Sequence, residues 1–219
     1  MPVTPADIDR AASVLEQGGI VAFPTETVYG LGALATDEDA VARIFRMKGR
    51  PKDKPLIIHV HDASGMPRWA GRVPEYAQRL AEALWPGPLT LILPAREDIP
   101  ELVRGGSDTI GIRVPDHPVA LQLLEELVER RGVSGGIAAP SANRYGEPPP
   151  RSVAEVIAGM GAPNVDDDSA PDMILDGGGC PGGVPSTVLG CTGEWPRILR
   201  YGATSREQIE DAIGRFVDQ

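Results

Sequence analysis

Lys48 and Arg50 stand on either side of one glycine in the segment Lys48-Gly49-Arg50-Pro51. Two cations at i and i+2 around a glycine can leave a helix end in different directions and converge on one anion, so the pair suggests a phosphate-bearing ligand. The commoner explanation is plainer: cations near a helix C-terminus offset the negative end of its dipole. A second cluster, Ala139-Pro140-Ser141-Ala142-Asn143, puts small polar side chains where a short strand gives way to a loop. The carboxyl ends of strands are where α/β sheets tend to bind ligands, although Ser and Asn in a turn also satisfy their own backbone. A third cluster, Pro24-Thr25-Glu26-Thr27-Val28-Tyr29-Gly30-Leu31-Gly32, follows a buried apolar run. A structural turn explains its glycines but not the succession of Thr, Glu, Thr and Tyr.

The motifs that usually announce a nucleotide are missing: the sequence has no GxxxxGK[ST] loop and no GxGxxG between a strand and a helix. An ATP bound here must therefore be held by discrete cations and loop amides. His59 and His61 form an HxH pair, but with only His117 elsewhere and no paired carboxylate motif, zinc is a poor fit. Asp166-Asp167-Asp168 reads as a solvated acidic loop, because a magnesium site usually needs only one or two carboxylates plus phosphates. No metal-ligating set is assigned. Trp85 in WPGPLT reads as a packing anchor, not a base-stacking platform. Cys180 and Cys191, eleven apart, lack both CxxC pairing and the density of a secreted scaffold, and read as incidental thiols.

The elements that must position these residues follow from apolar period and punctuation. Thr4-Pro5-Ala6-Asp7 starts a helix that runs to about Gln17 and stops at Gly18-Gly19. Ile20–Phe23 is a buried strand ended by Pro24. Asp37 caps a helix with the apolar face Ala40, Val41, Ile44 and Phe45. Pro55–Val60, Leu89–Leu93, Thr109–Val114 and Gly136–Ala139 read as strands; Pro74–Leu84 and His117–Arg131 read as helices. A loop over Ser141–Arg151 precedes a helix over Ser152–Met160. Short strands follow at Met173–Leu175, Thr187–Leu189 and Arg197–Leu199. Thr204 with Glu207 reads as the capping box of a last helix reaching Phe216. Strands and helices are mixed without a regular βαβ alternation, which predicts an open, mixed, twisted sheet with flanking helices, an α/β fold.

Composition sets the outer limits. The 219 residues suit one domain over 1–219, and 42% hydrophobic with 24% charged residues allows a packed core. Gly 26 and Pro 22 are high but scattered, so they mark loops and not a linker. A net charge of −10 argues against a polyanionic partner held by bulk electrostatics. The N-terminus lacks an apolar stretch after a basic start, and no apolar run approaches the roughly eighteen residues of a membrane span. A cytoplasmic location is therefore expected, with no membrane partner.

Taken in order, PTETVYGLG, KGRP with PLIIHV, WPGPLT, TIGIRVP, APSAN, PSTV and ILRYG resemble the YrdC-like family of threonylcarbamoyl-adenylate synthases. The resemblance spans about Gly19 to Gly202 and includes the family's paired KxR and SxN signature as Lys48, Arg50, Ser141 and Asn143. It implies a nucleotidyltransferase that makes threonylcarbamoyl-AMP and pyrophosphate from L-threonine, bicarbonate and ATP. Mg²⁺ is expected to travel with the nucleotide. A partner transferase complex would pass the threonylcarbamoyl group to the adenosine beside the anticodon of certain tRNAs. The resemblance implies that Lys48, Arg50 and Arg200 meet phosphates and that Thr109, Ser141 and Asn143 add nucleotide contacts. Lys54, where the family often has Asn, is a further ATP contact. Threonine would sit near Thr27, His59, Arg113, Ala139 and Ser186, with its carboxylate on the planar fork of Arg113; a buried structural ion pair is the other reading of that arginine. Two rival functions stay open: a paralogous carbamoyl-adenylate enzyme of the same fold, and a double-stranded-RNA-binding module. The −10 charge argues for only weak RNA binding.

Overall fold

Apolar runs too short for helices and bounded by Pro and Gly become strands. In the computed structural model, which describes residues 3–132, 135–165 and 167–214, nine of them hydrogen-bond into one sheet. The order is β7 (Met173–Ile174), β1 (Val21–Pro24), β2 (Tyr29–Leu34), β6 (Ile137–Ala138), β3 (Ile57–His59), β5 (Thr109–Arg113), β4 (Leu89–Pro94), β8 (Thr187–Gly190) and β9 (Arg197–Arg200). The pairs β1–β7, β3–β5 and β4–β8 are parallel. The remaining neighbours are antiparallel, so the sheet is mixed as the irregular element order predicts.

Helices cover both faces. In α1 (Pro5–Glu16) the Thr4 hydroxyl accepts from Asp7 N, while the Asp7 carboxylate accepts from Thr4 N at 2.9 Å. Such a reciprocal cap contributes about 1 kcal/mol. Ile8, Ala11, Ala12 and Leu15 form its buried face at helical spacing and pack with α6 (Pro118–Arg131) against Val21 and Phe23. On the opposite face, α2 (Glu38–Lys48), α4 (Glu75–Leu84), α7 (Val153–Met160) and α8 (Arg206–Ile213) bury Ile44, Leu80, Met160 and Ile209 with Ala22 and Leu31. Asp37 Oδ1 caps α2 by accepting from Ala40 N at 2.9 Å. Gly49 ends α2 at φ +61°, a left-handed conformation that favours glycine. Lys48 and Arg50 therefore depart in different directions.

Several elements differ from the sequence expectation. Tyr29–Leu34 is a strand to which the sequence pattern assigns no element; all six residues are buried, so the two-residue alternation that reveals a half-exposed strand is absent. Its glycines admit the Phe23 ring: a Cβ on Gly32 would lie 2.8 Å from Phe23 Cε1 and 2.6 Å from Ile137 Cγ2. The last helix is capped by Ser205 with Gln208, not by Thr204 with Glu207. The Thr204 hydroxyl donates instead to Pro88 O at 3.1 Å, a tertiary acceptor unknown to local pattern. The helix is described to Ile213, and Phe216 lies outside the described residues. Finally, α3 (Met66–Trp69) and α5 (Glu101–Arg104) are four residues each, too short to carry a period.

Candidate functional site

His59 and Arg113 end two parallel strands, β3 and β5, and are partners in their register. Partners in adjacent strands share a face, so the sheet itself sets imidazole beside guanidinium. Both residues are buried, at 4% and 5% exposure, and a buried cation must find partners. Arg113 Nε donates to Gly87 O and Nη2 to Thr27 Oγ1, each at 3.3 Å, and Nη2 lies 2.6 Å from Glu26 Oε1. Burial first, and Arg113 second, pull the His59 pKa down to about 3, so the ring is neutral near pH 7. Its Nδ1 has no hydrogen-bond partner, and the ring stands edge-on to Phe23 at 5.9 Å.

The turn between β1 and β2 explains the Thr-Glu-Thr succession. Thr25 Oγ1 accepts from the backbone of Thr27 and Val28, both at 3.2 Å, and donates to Val28 O at 2.6 Å. The turn so fixed sends Glu26 and Thr27 to Arg113. Tyr29 reaches the other way, donating its hydroxyl to Gly178 O at 2.7 Å in the glycine-rich loop before β8. That loop is stitched to the turn by Gly182 N to Glu26 O at 3.1 Å and Gly183 N to Thr27 O at 3.0 Å.

These groups border a cavity of about 220 Å³. Thr27, His59, Arg113, Ala139 and Ser186 line it, and so do Arg50, Ser141 and Arg200. Arg50 donates from Nε to Lys54 O at 3.1 Å and from Nη2 to Pro55 O at 2.9 Å. Arg200 reaches in from the edge strand and donates from Nη2 to Ser186 O at 2.9 Å. Burial lowers both guanidinium pKa values, and Arg113 adds to the effect on Arg200; arginines remain charged nonetheless. Three guanidiniums thus border one cavity of an acidic protein. Neither Arg50 nor Arg200 forms an ion pair among the described residues, whereas Arg113 has Glu26.

Four sequence-predicted residues do not line the cavity. Lys48 is buried behind it, and its ammonium donates to the carbonyls of Ser141 and Asn143. Burial, then Arg50, pulls its pKa down to about 7. Asn143 Nδ2 donates to Arg144 O at 2.7 Å and Glu147 O at 2.8 Å, bracing the proline-rich loop. Lys54 is exposed, with its ammonium 3.6 Å from Asp53 Oδ2, and supports Arg50 through its carbonyl. Thr109 starts β5; at about 3.3 Å per residue it stands roughly 13 Å from Arg113 along the strand. Its hydroxyl meets Ser107 Oγ at 2.8 Å. Glu26 is the reverse case, a residue within the highlighted turn to which the sequence assigned no role.

Among the described residues no group of three or more His, Cys, Asp or Glu side chains could hold a metal ion. His61 lies beyond the end of β3, 3.3 Å from Asp62 Oδ2, apart from His59. Asp167 Oδ1 accepts from Ser169 N at 2.8 Å and Asp168 pairs with Arg43 at 3.0 Å, while Asp166 lies outside the described residues. Cys180 and Cys191 are free and buried.

Residues 13–202 match the family model Sua5_yciO_yrdC, described as telomere recombination. The chain is 48% identical to the threonylcarbamoyl-AMP synthase of Pyrococcus abyssi, over 94% of this chain and 57% of that protein. It is 47% identical to the threonylcarbamoyl-AMP synthase of Bacillus subtilis, over 94% of this chain and 56% of that protein. The crystal structure of P. abyssi Sua5 complexed with L-threonine superimposes with a TM-score of 0.88 at 43% identity, covering 100% of this chain and 61% of that one. The chain thus spans a little over half the length of these relatives.

Proposed function

This chain belongs to the Sua5/YciO/YrdC family, and from that premise we propose that it makes threonylcarbamoyl-AMP and pyrophosphate from L-threonine, bicarbonate and ATP. In this reading the amine nitrogen attacks the bicarbonate carbon with loss of water. A carbamate oxygen then attacks the α-phosphorus, and the bond to pyrophosphate breaks. Such a displacement asks a protein for alignment and for stabilisation of charge more than for covalent help.

The observation that carries the reading is the set of groups around the one cavity. Arg113, with Thr27 and the neutral His59 beside it, suits an amino-acid carboxylate. Arg50 and Arg200, lacking carboxylate partners among the described residues, suit phosphate oxygens. At about 220 Å³ the cavity is below the roughly 300–1,000 Å³ of drug-sized sites, so threonine fits inside while most of the nucleotide extends from the mouth. The threonine complex of the P. abyssi relative supports the same substrate. The candidate nucleotide contacts remain Lys48, Arg50, Lys54, Thr109, Ser141, Asn143 and Arg200. Four of these differ in kind from cavity contacts: Lys48 and Asn143 shape the Ser141 loop, Lys54 supports Arg50, and Thr109 lies down the strand.

Mg²⁺ belongs to this reading as the counter-ion that accompanies the triphosphate, since no described cluster offers it a protein-built site. The product would pass to a transferase complex acting on tRNA. The cytoplasm is the natural setting for that work; among the described residues no helix is long and apolar enough to cross a membrane.

The test is pyrophosphate release by the purified protein with ATP and bicarbonate. We expect release to depend on threonine, with serine giving less turnover, because one missing methyl group in a fitted pocket is worth about 1–3 kcal/mol. Equal rates with every amino acid, or ADP as product, would sink the assignment. Formation of carbamoyl-AMP and pyrophosphate from carbamate and ATP, without threonine, would favour the paralogous enzyme.

A further inference from the structure

Glu26 supplies the one carboxylate in ion-pair contact with the cavity's arginines among the described residues, and the proposed reaction gives it no task. Its Oε1 lies 2.6 Å from Arg113 Nη2, yet neither carboxylate oxygen receives a hydrogen bond and both are sealed from solvent. An ionised carboxylate so placed is costly, and an apolar side chain would pack there at less cost. His117 and Cys180 also face it, without donating to it. Among the described residues Arg113 is therefore its only close partner.

The need for that partner lies on the arginine's side. Apart from Glu26, Arg113 is held by two long hydrogen bonds of 3.3 Å, to Gly87 O and Thr27 Oγ1. A second guanidinium, Arg200, borders the same cavity and repels it. Nη1 has no protein partner among the described residues, so one edge of the fork remains for a ligand. We propose that Glu26 is a positioning residue whose buried charge holds the Arg113 guanidinium against Arg200, so that an amino-acid carboxylate meets a fork already in place. The identity of the ligand rests on the proposed synthase reading; the pinning of Arg113 does not.

Two measurements test this on the whole chain. The first is kinetic. Glu26→Gln keeps the shape and removes the charge, so the KM for threonine should rise roughly tenfold, with kcat within about twofold and the KM for ATP unchanged. Glu26→Asp keeps the charge one methylene further back and should show a smaller rise; it carries the test alone if the Gln variant does not melt cooperatively. The second is NMR of ¹⁵N-arginine-labelled protein, with the Arg113 signals assigned by their loss in Arg113→Lys. The Arg113 Nη protons should be resolved in the parent and averaged by faster rotation in Glu26→Gln. Unchanged Arg113 signals overturn the proposal, as does a loss of kcat and of both KM values in step with melting temperature. If the parent shows no threonine-dependent turnover while the variant's Arg113 signals average, the synthase reading fails and the positioning role stands.

Discussion

Lys48 and Arg50, two residues apart, stand differently beside the same cavity. The Lys48 ammonium is committed to the carbonyls of Ser141 and Asn143, and so ties the end of α2 to the loop that borders the cavity. Arg50 lines that cavity directly. Their substitutions should therefore differ. Arg50→Ala is expected to weaken ATP binding about tenfold or more through loss of a charge-assisted contact, with little change in melting temperature. Lys48→Met is expected to loosen the Ser141 loop and lower turnover, with ATP affinity changed by less than about threefold. Titration calorimetry beside a thermal melt separates the two. Linkage gives Lys48 a further signature. Its folded pKa of about 7 lies below the unfolded value of about 10.4, so between those values the unfolded chain holds the extra proton. Stability contributed at this position therefore rises with pH across that window. Relative to Lys48→Met, the parent should gain stability between pH 7 and 10 in urea unfolding; a flat difference would show that Lys48 keeps its ordinary pKa.

At the scale of elements, the site depends on where strand ends and loops meet. β8 enters the sheet through Pro185-Ser186, and Gly202 lies directly against that segment after β9. A Cβ at 202 would stand 2.3 Å from Pro185 O and 2.4 Å from Ser186 C, atoms of backbone that cannot swing aside. Gly202→Ala should cost about 1–3 kcal/mol by overpacking and should displace Ser186, raising the threonine requirement. Gly49→Ala makes the useful contrast: its Cβ meets open space, but φ of +61° strains any L side chain by about 1 kcal/mol or more. It should cost stability with little effect on threonine. Kinetics with threonine and chemical denaturation of both variants check this; equal threonine requirements in the two would remove Gly202 from the site's support.

For the whole molecule, the excess of negative charge and the cationic cavity work at different ranges. The net charge of −10 acts on any long polyanion, while Arg50, Arg113 and Arg200 act over one cavity, within a Debye length of about 8 Å in physiological salt. Duplex RNA should bind weakly at that salt concentration, and a nucleotide should compete for the same arginines. Fluorescence anisotropy with labelled duplex RNA over a salt series provides the check. Tight binding with a steep salt slope, in the absence of ATP and threonine, would favour an RNA-binding module over a synthase.

Much of this was legible in the chain itself, because it rests on local physics. Thr4 and Asp37 announce helix starts through their own backbone bonds, and the apolar periods of α1, α2 and α6 need no partner to be read. The three clusters around Thr27, Lys48 and Ser141 are visible as residue types in sequence, and with four further motifs in order along the chain they carry the family resemblance. Tertiary structure alone decided which atoms meet. Strand β2 was hidden because complete burial erases alternation. The cap of α8 moved to Ser205 because Pro88 O, more than a hundred residues away, takes the Thr204 hydroxyl. Lys48 and Arg50 divide between a loop brace and a cavity wall through the handedness of one glycine. Glu26 became a candidate only when β5 brought Arg113 to the turn after β1, a pairing across 87 residues that no local spacing encodes.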